Sequence, residues 1–178
     1  MEILKPGSIK LDFLESIFRN KPKVTMDLSL KGKIEKSAKI VEASTKGSLP
    51  IYGVNTGFGK LANKIIPEED REQLQKNLVL SHCSGIGEPL PEDVTRLMMI
   101  LKMISLSFGA SGVKWSTINQ IEKIINSGII PEIPHQGSVG ASGDLAPLAH
   151  MAAVMIGEGW AFYNGEKLTG REALQKVK

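Results

Sequence analysis

Apolar residues recur at helical spacing along most of this chain, and the places where they stop mark its joints. Ile9, Phe13, Leu14, Ile17 and Phe18 share one helical face, which predicts a helix capped by Ser8 and running through Phe18. The four residues MEIL before it read as a short strand, turned by Pro6-Gly7. Ile34, Ala38, Ile40 and Val41 predict a second helix over about Leu30 to Ala43. From Thr45 to Lys60 no period survives, and Gly47, Pro50, Gly53, Gly57 and Gly59 make the stretch a loop. Pro67-Glu68-Glu69-Asp70 opens a third helix, because proline suits a first turn and carboxylates favour the positive helix end. Leu74, Leu78 and Val79 form its apolar stripe, and Gly85 and Gly87 stop it. Pro91-Glu92-Asp93 repeats that opening for a helix to about Phe108, with Leu97, Met98, Leu101 and Ile104 facing inward.

A further helix is predicted from about Ser116 to Asn126, closed by Gly128. The glycine-rich turn GSVGASGD then leads into LAPLAHMAAVMI, a helix of small and apolar residues. Trp160 to Tyr163 and Glu166 to Leu168 flank Asn164-Gly165, the signal for a type I′ hairpin. Thr169 and Glu172 form a capping box for a last helix that the pattern carries to Lys178. A chain whose last residues begin a new helix reads as part of something longer. The fold class expected is mainly α with a few short strands and a hairpin, with the long helices layered beneath the loop that carries Tyr52. No repeat or linker divides residues 1–178.

Composition narrows the function. Of 178 residues, 22 are basic and 19 acidic, a net charge of +3 that argues for neither nucleic acid nor an anionic membrane surface. The single cysteine, Cys83, excludes an internal disulfide and a thiolate-rich zinc cage, so no metal is expected. No apolar run is long enough to span a bilayer, and no signal-peptide pattern opens the chain. A cytoplasmic location is expected.

The glycine-rich turn invites several chemistries. A phosphate cradle would need GxxxxGK[ST] or GxGxxG, and neither spacing fits; the lead-in IIPEIPHQ also carries two prolines where a buried strand belongs. A serine nucleophile elbow would need glycine two residues after Ser142, where Asp144 stands. A plain tight turn into a helix is the default. The remaining reading uses Ala141-Ser142-Gly143 itself. The Gly143 amide nitrogen attacks the Ala141 carbonyl carbon, glycine leaving that approach open, and the Ala141 carbonyl oxygen departs as a first water. Loss of the Ser142 hydroxyl as water leaves an exocyclic methylidene. The product, 4-methylidene-imidazole-5-one (MIO), is an electrophile, and a helix starting just after it would favour electron flow into the ring.

The block GSVGASGDLAPLAHM resembles the signature of the aromatic amino-acid ammonia-lyases and aminomutases. YGVNTGFGKLA from Tyr52 is similar to that family's catalytic-tyrosine loop, and NLVLSHCSGIGEPL from Asn77 to its substrate-selecting segment. The resemblance covers essentially the whole chain and implies the N-terminal part of the ammonia-lyase (L-aspartase-like) fold. Within the family, Ser81-His82 is similar to the type that acts on L-histidine, giving trans-urocanate and ammonia. Phe108 and Gln136 depart from that type, which often has arginine and lysine there.

The resemblance implies roles. Ala141, Ser142 and Gly143 would form MIO as a self-derived cofactor. Tyr52 would be the base for the substrate's β-proton; a phenol's ordinary pKa near 10 requires a positive local field for that task. His82 would contact the substrate imidazole, although a histidine there also suits a helix C-terminus. His150 reads as a satisfied core residue, Cys83 as a small buried one and not a nucleophile, and His135 has no assigned role. Asp144 either caps the helix or polarises the cyclising backbone. The family has a C-terminal helical bundle beyond the matched region and assembles as a homotetramer with shared sites. The isolated chain is therefore expected to be inactive and uncyclised. Two alternatives stand: the same chemistry on tyrosine or phenylalanine, or an aminomutase, and a non-catalytic short paralogue that acts as a binding module.

Overall fold

In the computed structural model, which describes residues 1–46, 49–138 and 145–177, the chain begins with β1 (Glu2–Leu4), α1 (Leu11–Asn20) and β2 (Val24–Met26). A single 3-10 turn, Leu28–Leu30, leads into α2 (Lys31–Thr45). The loop that follows holds a second such turn, Gly59–Leu61, before α3 (Glu68–His82) and β3 (Ile86–Pro89). Then come α4 (Glu92–Leu106), α5 (Trp115–Ser127), β4 (Ile130–Pro131) and β5 (Pro134–Gln136). The last elements are α6 (Leu145–Met155), β6 (Trp160–Tyr163), β7 (Glu166–Thr169) and α7 (Gly170–Gln175). The architecture is mainly helical with short strands, as expected.

Helix starts follow local chemistry. α3 and α4 open on Pro67 and Pro91, each followed by acidic residues in the first turn. The N-terminus of α5 has no cap of its own; the Glu35 carboxylate of α2 accepts the Trp115 N–H at 2.9 Å. Ser8 does not cap α1. Its N–H and hydroxyl both donate to the Lys5 carbonyl, closing the Pro6-Gly7 turn, and Lys10 occupies the cap position.

The core is centred on α4 and α5, where Met99, Ile100, Met103, Ile118, Ile121 and Ile124 are almost wholly buried. This corrects the expected inward face of α4. Leu101 is exposed and Leu97 and Met98 are half-buried, so the buried stripe starts at Arg96 and continues through Met99, Ile100, Met103 and Ile104. β1 and β2 pair in parallel, Leu4 opposite Met26, and α5 fastens them. The Glu122 carboxylate accepts from the Met26 N–H (2.9 Å) and the Thr25 hydroxyl (3.1 Å), and the Asn126 amide bonds both main-chain groups of Val24.

The hairpin β6–β7 turns at Asn164 and Gly165, both with positive φ as type I′ requires, and β4 extends it to three strands. The capping box at Thr169 and Glu172 is formed. The last helix ends at Gln175, short of the expected Lys178, which lies outside the described residues.

Candidate active site

Tyr52 sits in a turn that one buried asparagine organises. The Asn55 side chain accepts from the Ile51 N–H (2.7 Å) and donates to the Leu49 carbonyl (2.9 Å), while its own carbonyl accepts from the Ile66 N–H (2.9 Å). Asn55 is 1% exposed, so these bonds satisfy an amide that burial would otherwise penalise. Gly57 lets the loop fold on itself, because a Cβ there would lie 2.5 Å from Leu61 Cβ. The Tyr52 ring is 63% exposed and meets the Phe58 ring edge-on, at 5.7 Å and 72°. Its hydroxyl has no hydrogen-bond partner among the described residues.

Tyr52 and Phe58 form one wall of an open cleft of about 630 Å³. Leu78, Val79 and His82 of α3 form another, and α6 supplies Leu145, Leu148, Ala149 and Ala152, one face at helical spacing. The Tyr52 loop therefore lies beside α3 and α6. Cleft walls this apolar suit an aromatic or aliphatic body held by a few polar groups.

His82 is one of those polar groups. Its Nδ1 lies 2.7 Å from the Leu78 carbonyl oxygen. Two lone pairs would repel at that distance, so Nδ1 carries a hydrogen and donates it, leaving the neutral ring an acceptor at Nε2. The Ser81 hydroxyl donates to the same carbonyl at 3.0 Å.

The approach to the glycine-rich turn is tightly built. A Cβ on Gly137 would meet Ala146 Cβ at 3.0 Å and Gly85 Cα at 3.1 Å, so three backbones converge where α6 begins. His150 of α6 accepts the Gly85 N–H at Nε2 (3.2 Å), which agrees with its reading as a satisfied residue. Burial pushes its imidazole below the ordinary value of 6.5, against a weaker opposing pull from Glu132. Burial likewise pushes the Cys83 thiol up, and its Sγ–H donates to the Val79 carbonyl, an inert arrangement. His135 donates to the Glu88 carbonyl at 2.8 Å from Nδ1 and packs over Gly87, tying β5 to β3. Ala141, Ser142, Gly143 and Asp144 lie outside the described residues. No cluster of three or more His, Cys, Asp or Glu among the described residues is arranged for a metal, and no described helix is long and apolar enough to cross a membrane.

The sequence model for aromatic amino acid lyases matches residues 9–178. The chain belongs to the aromatic amino acid lyase family. Among solved structures it is similar to the phenylalanine aminomutase of Pantoea agglomerans, at 32% identity and TM-score 0.91. It is similar to a histidine ammonia-lyase from Trypanosoma cruzi, at 31% and 0.89, and to an ergothioneine-degrading ergothionase from Treponema denticola, at 27% and 0.93. Each match covers 99% of this chain but only 34%, 34% and 35% of the other, so the chain spans about a third of their length. The fold is that of the N-terminal region of these ammonia-lyases. Aromatic amino acid lyases and aminomutases generally depend on MIO. The described surroundings fit that group: small residues crowd the entry at Gly85, Gly137 and Ala146, and the N-terminus of α6 follows. Asn55 escaped the sequence reading; a polar residue amid the glycines of YGVNTGFG was its one visible sign.

Proposed function

We propose that residues 1–178 are the N-terminal region of a histidine ammonia-lyase, which removes ammonia from L-histidine to give trans-urocanate. The whole protein is read as a cytoplasmic homotetramer, with MIO closing from Ala141, Ser142 and Gly143. The observation that carries this reading is one cleft lined by Tyr52, His82 and Leu145, the last being the second residue after Gly143.

MIO supplies an electrophile that makes the substrate nitrogen a better leaving group. Tyr52 is the base for the β-proton, standing at the cleft wall with no hydrogen-bond partner for its hydroxyl among the described residues. His82 accepts the substrate's imidazole N–H at Nε2, since Nδ1 is committed to Leu78. Leu78, Val79, Leu148 and Ala149 pack against the ring and displace water. The N-terminal N–H groups of α6 favour negative charge beside them.

The test is incubation of the full-length protein with L-histidine, L-tyrosine and L-phenylalanine. Urocanate from histidine, abolished in Ser142→Ala, is the expected result; release of only cinnamate or coumarate, or activity untouched in that variant, overturns it. The isolated chain should show the intact mass of its sequence, whereas a deficit of two waters would mean that the ring closes without the rest of the protein. A second reading, an aminomutase, draws on the 32% identity to the Pantoea agglomerans enzyme. Accumulation of a β-amino acid in the same assay would decide for it.

A further inference from the structure

Arg96 of α4 is 8% exposed and no carboxylate neutralises it among the described residues. Its guanidinium donates to the Ile17 carbonyl at 3.5 Å and to the Pro22 carbonyl, at the end of α1. Those two bonds leave three of its five N–H donors without a protein acceptor. Glu92 stands one helical turn earlier, the right spacing for a pair, yet the arginine turns away from it to the carbonyls. A buried cation without a counter-charge is costly, and burial accordingly holds this guanidinium below the usual arginine value.

Arg96 lines a cavity of about 340 Å³ together with Lys21 and Lys23, neither of which forms an ion pair among the described residues. Lys21 closes α1 with φ of +46°, at a helix-ending position where glycine is the unstrained choice. A lysine there adds a cation at the cavity edge in spite of the backbone strain. The neutral side chains are partly engaged: the Asn126 amide bonds Val24 through its oxygen and one N–H, and the Ser127 hydroxyl donates to the Ile124 carbonyl. Three cationic residues thus line the cavity against one carboxylate residue, Glu92.

We propose that this cavity binds a phosphate group, either as free phosphate or as the phosphoryl end of a small metabolite. A doubly negative tetrahedral oxyanion balances the excess charge, and guanidinium with two ammonium groups matches its several acceptor oxygens. The cavity exceeds one phosphate in volume, which leaves space for a small esterified body. It shares no lining residue with the apolar cleft, so the histidine reading stands or falls independently.

The experiment is calorimetric titration and thermal unfolding of the full-length protein with inorganic phosphate, and in a second arm with ribose 5-phosphate, at ionic strength held constant with sodium chloride. Phosphate should raise the melting temperature beyond the chloride control. Lys21→Gly/Lys23→Gln should require roughly tenfold more phosphate, the loss expected from removing two charge-assisted contacts. Lys21→Gly alone relieves the positive φ, so its melting temperature without ligand should be at least that of the wild type, which separates lost binding from lost folding. Equal affinity for the two ligands assigns the site to free phosphate, and tighter binding of the ester assigns it to a metabolite. A wild-type response no greater than chloride, or the same midpoint in the double variant, overturns the proposal.

Discussion

The two central helix pairs of this chain are built for different tasks. α4 and α5 bury seven and five residues, and α5 also clamps the β1–β2 pair. α3, of the same length as α4, buries none, and leans mainly on α6 with a Lys76–Glu158 ion pair of 2.7 Å at its rim. Stability is concentrated in the first pair, whereas the cleft is walled by the second. The cleft walls are thus surfaces whose residues contribute little to folding, which leaves their identity free to vary.

That contrast gives measurable expectations. The widest separation belongs to Tyr52→Phe, which in the full-length enzyme should lower kcat by about 10²–10⁴-fold. The same change should shift unfolding free energy by less than about 0.5 kcal/mol, because the ring is mostly exposed. In denaturant melts, Ile118→Ala should cost about 2–5 kcal/mol, since that side chain is fully buried. Leu78→Ala, on the half-buried wall of α3, should cost only about 1 kcal/mol; equal losses at the two sites would erase the distinction drawn here. Glu122→Gln places an amide donor against donors from Met26 and Thr25, and should cost about 1–3 kcal/mol in the same assay. Thr169→Ala removes the α7 cap at about 1 kcal/mol.

The smallest effect is a pH dependence at His150. Its folded-state pKa is held below the ordinary 6.5, so the unfolded chain takes up protons first as the pH falls. The stability this group contributes is complete above pH 6.5 and is lost as pH drops through the window beneath it, where the Gly85 N–H also loses its acceptor. His150→Gln should flatten that part of the stability–pH curve, and an unchanged slope would assign the dependence elsewhere.

Features written in short local signals were readable from sequence: proline with carboxylates at the openings of α3 and α4, Asn164-Gly165, and the Thr169 capping box. The face of α4 was not, because the nearly continuous apolar run LMMILKMISL supports two stripes equally, and only packing against α5 selects Met99 and Met103 over Leu97 and Leu101. β2, β3, β4 and β5 are two to four residues long and pair over long sequence distances, too short to show an alternating pattern. Ser8 carried the chemistry of a cap but was drawn into the preceding turn. Tyr52 and His82 were singled out through resemblance alone, since they stand far apart in sequence and only tertiary folding brings them to one cleft.

Asn55 joins both flanks of the loop to a single knot, Leu49 and Ile51 on one side and Ile66 on the other. A hoop fastened in this way is tied at both ends by one residue. Tyr52 thus owes its place at the cleft wall to a side chain that lines no part of the cleft.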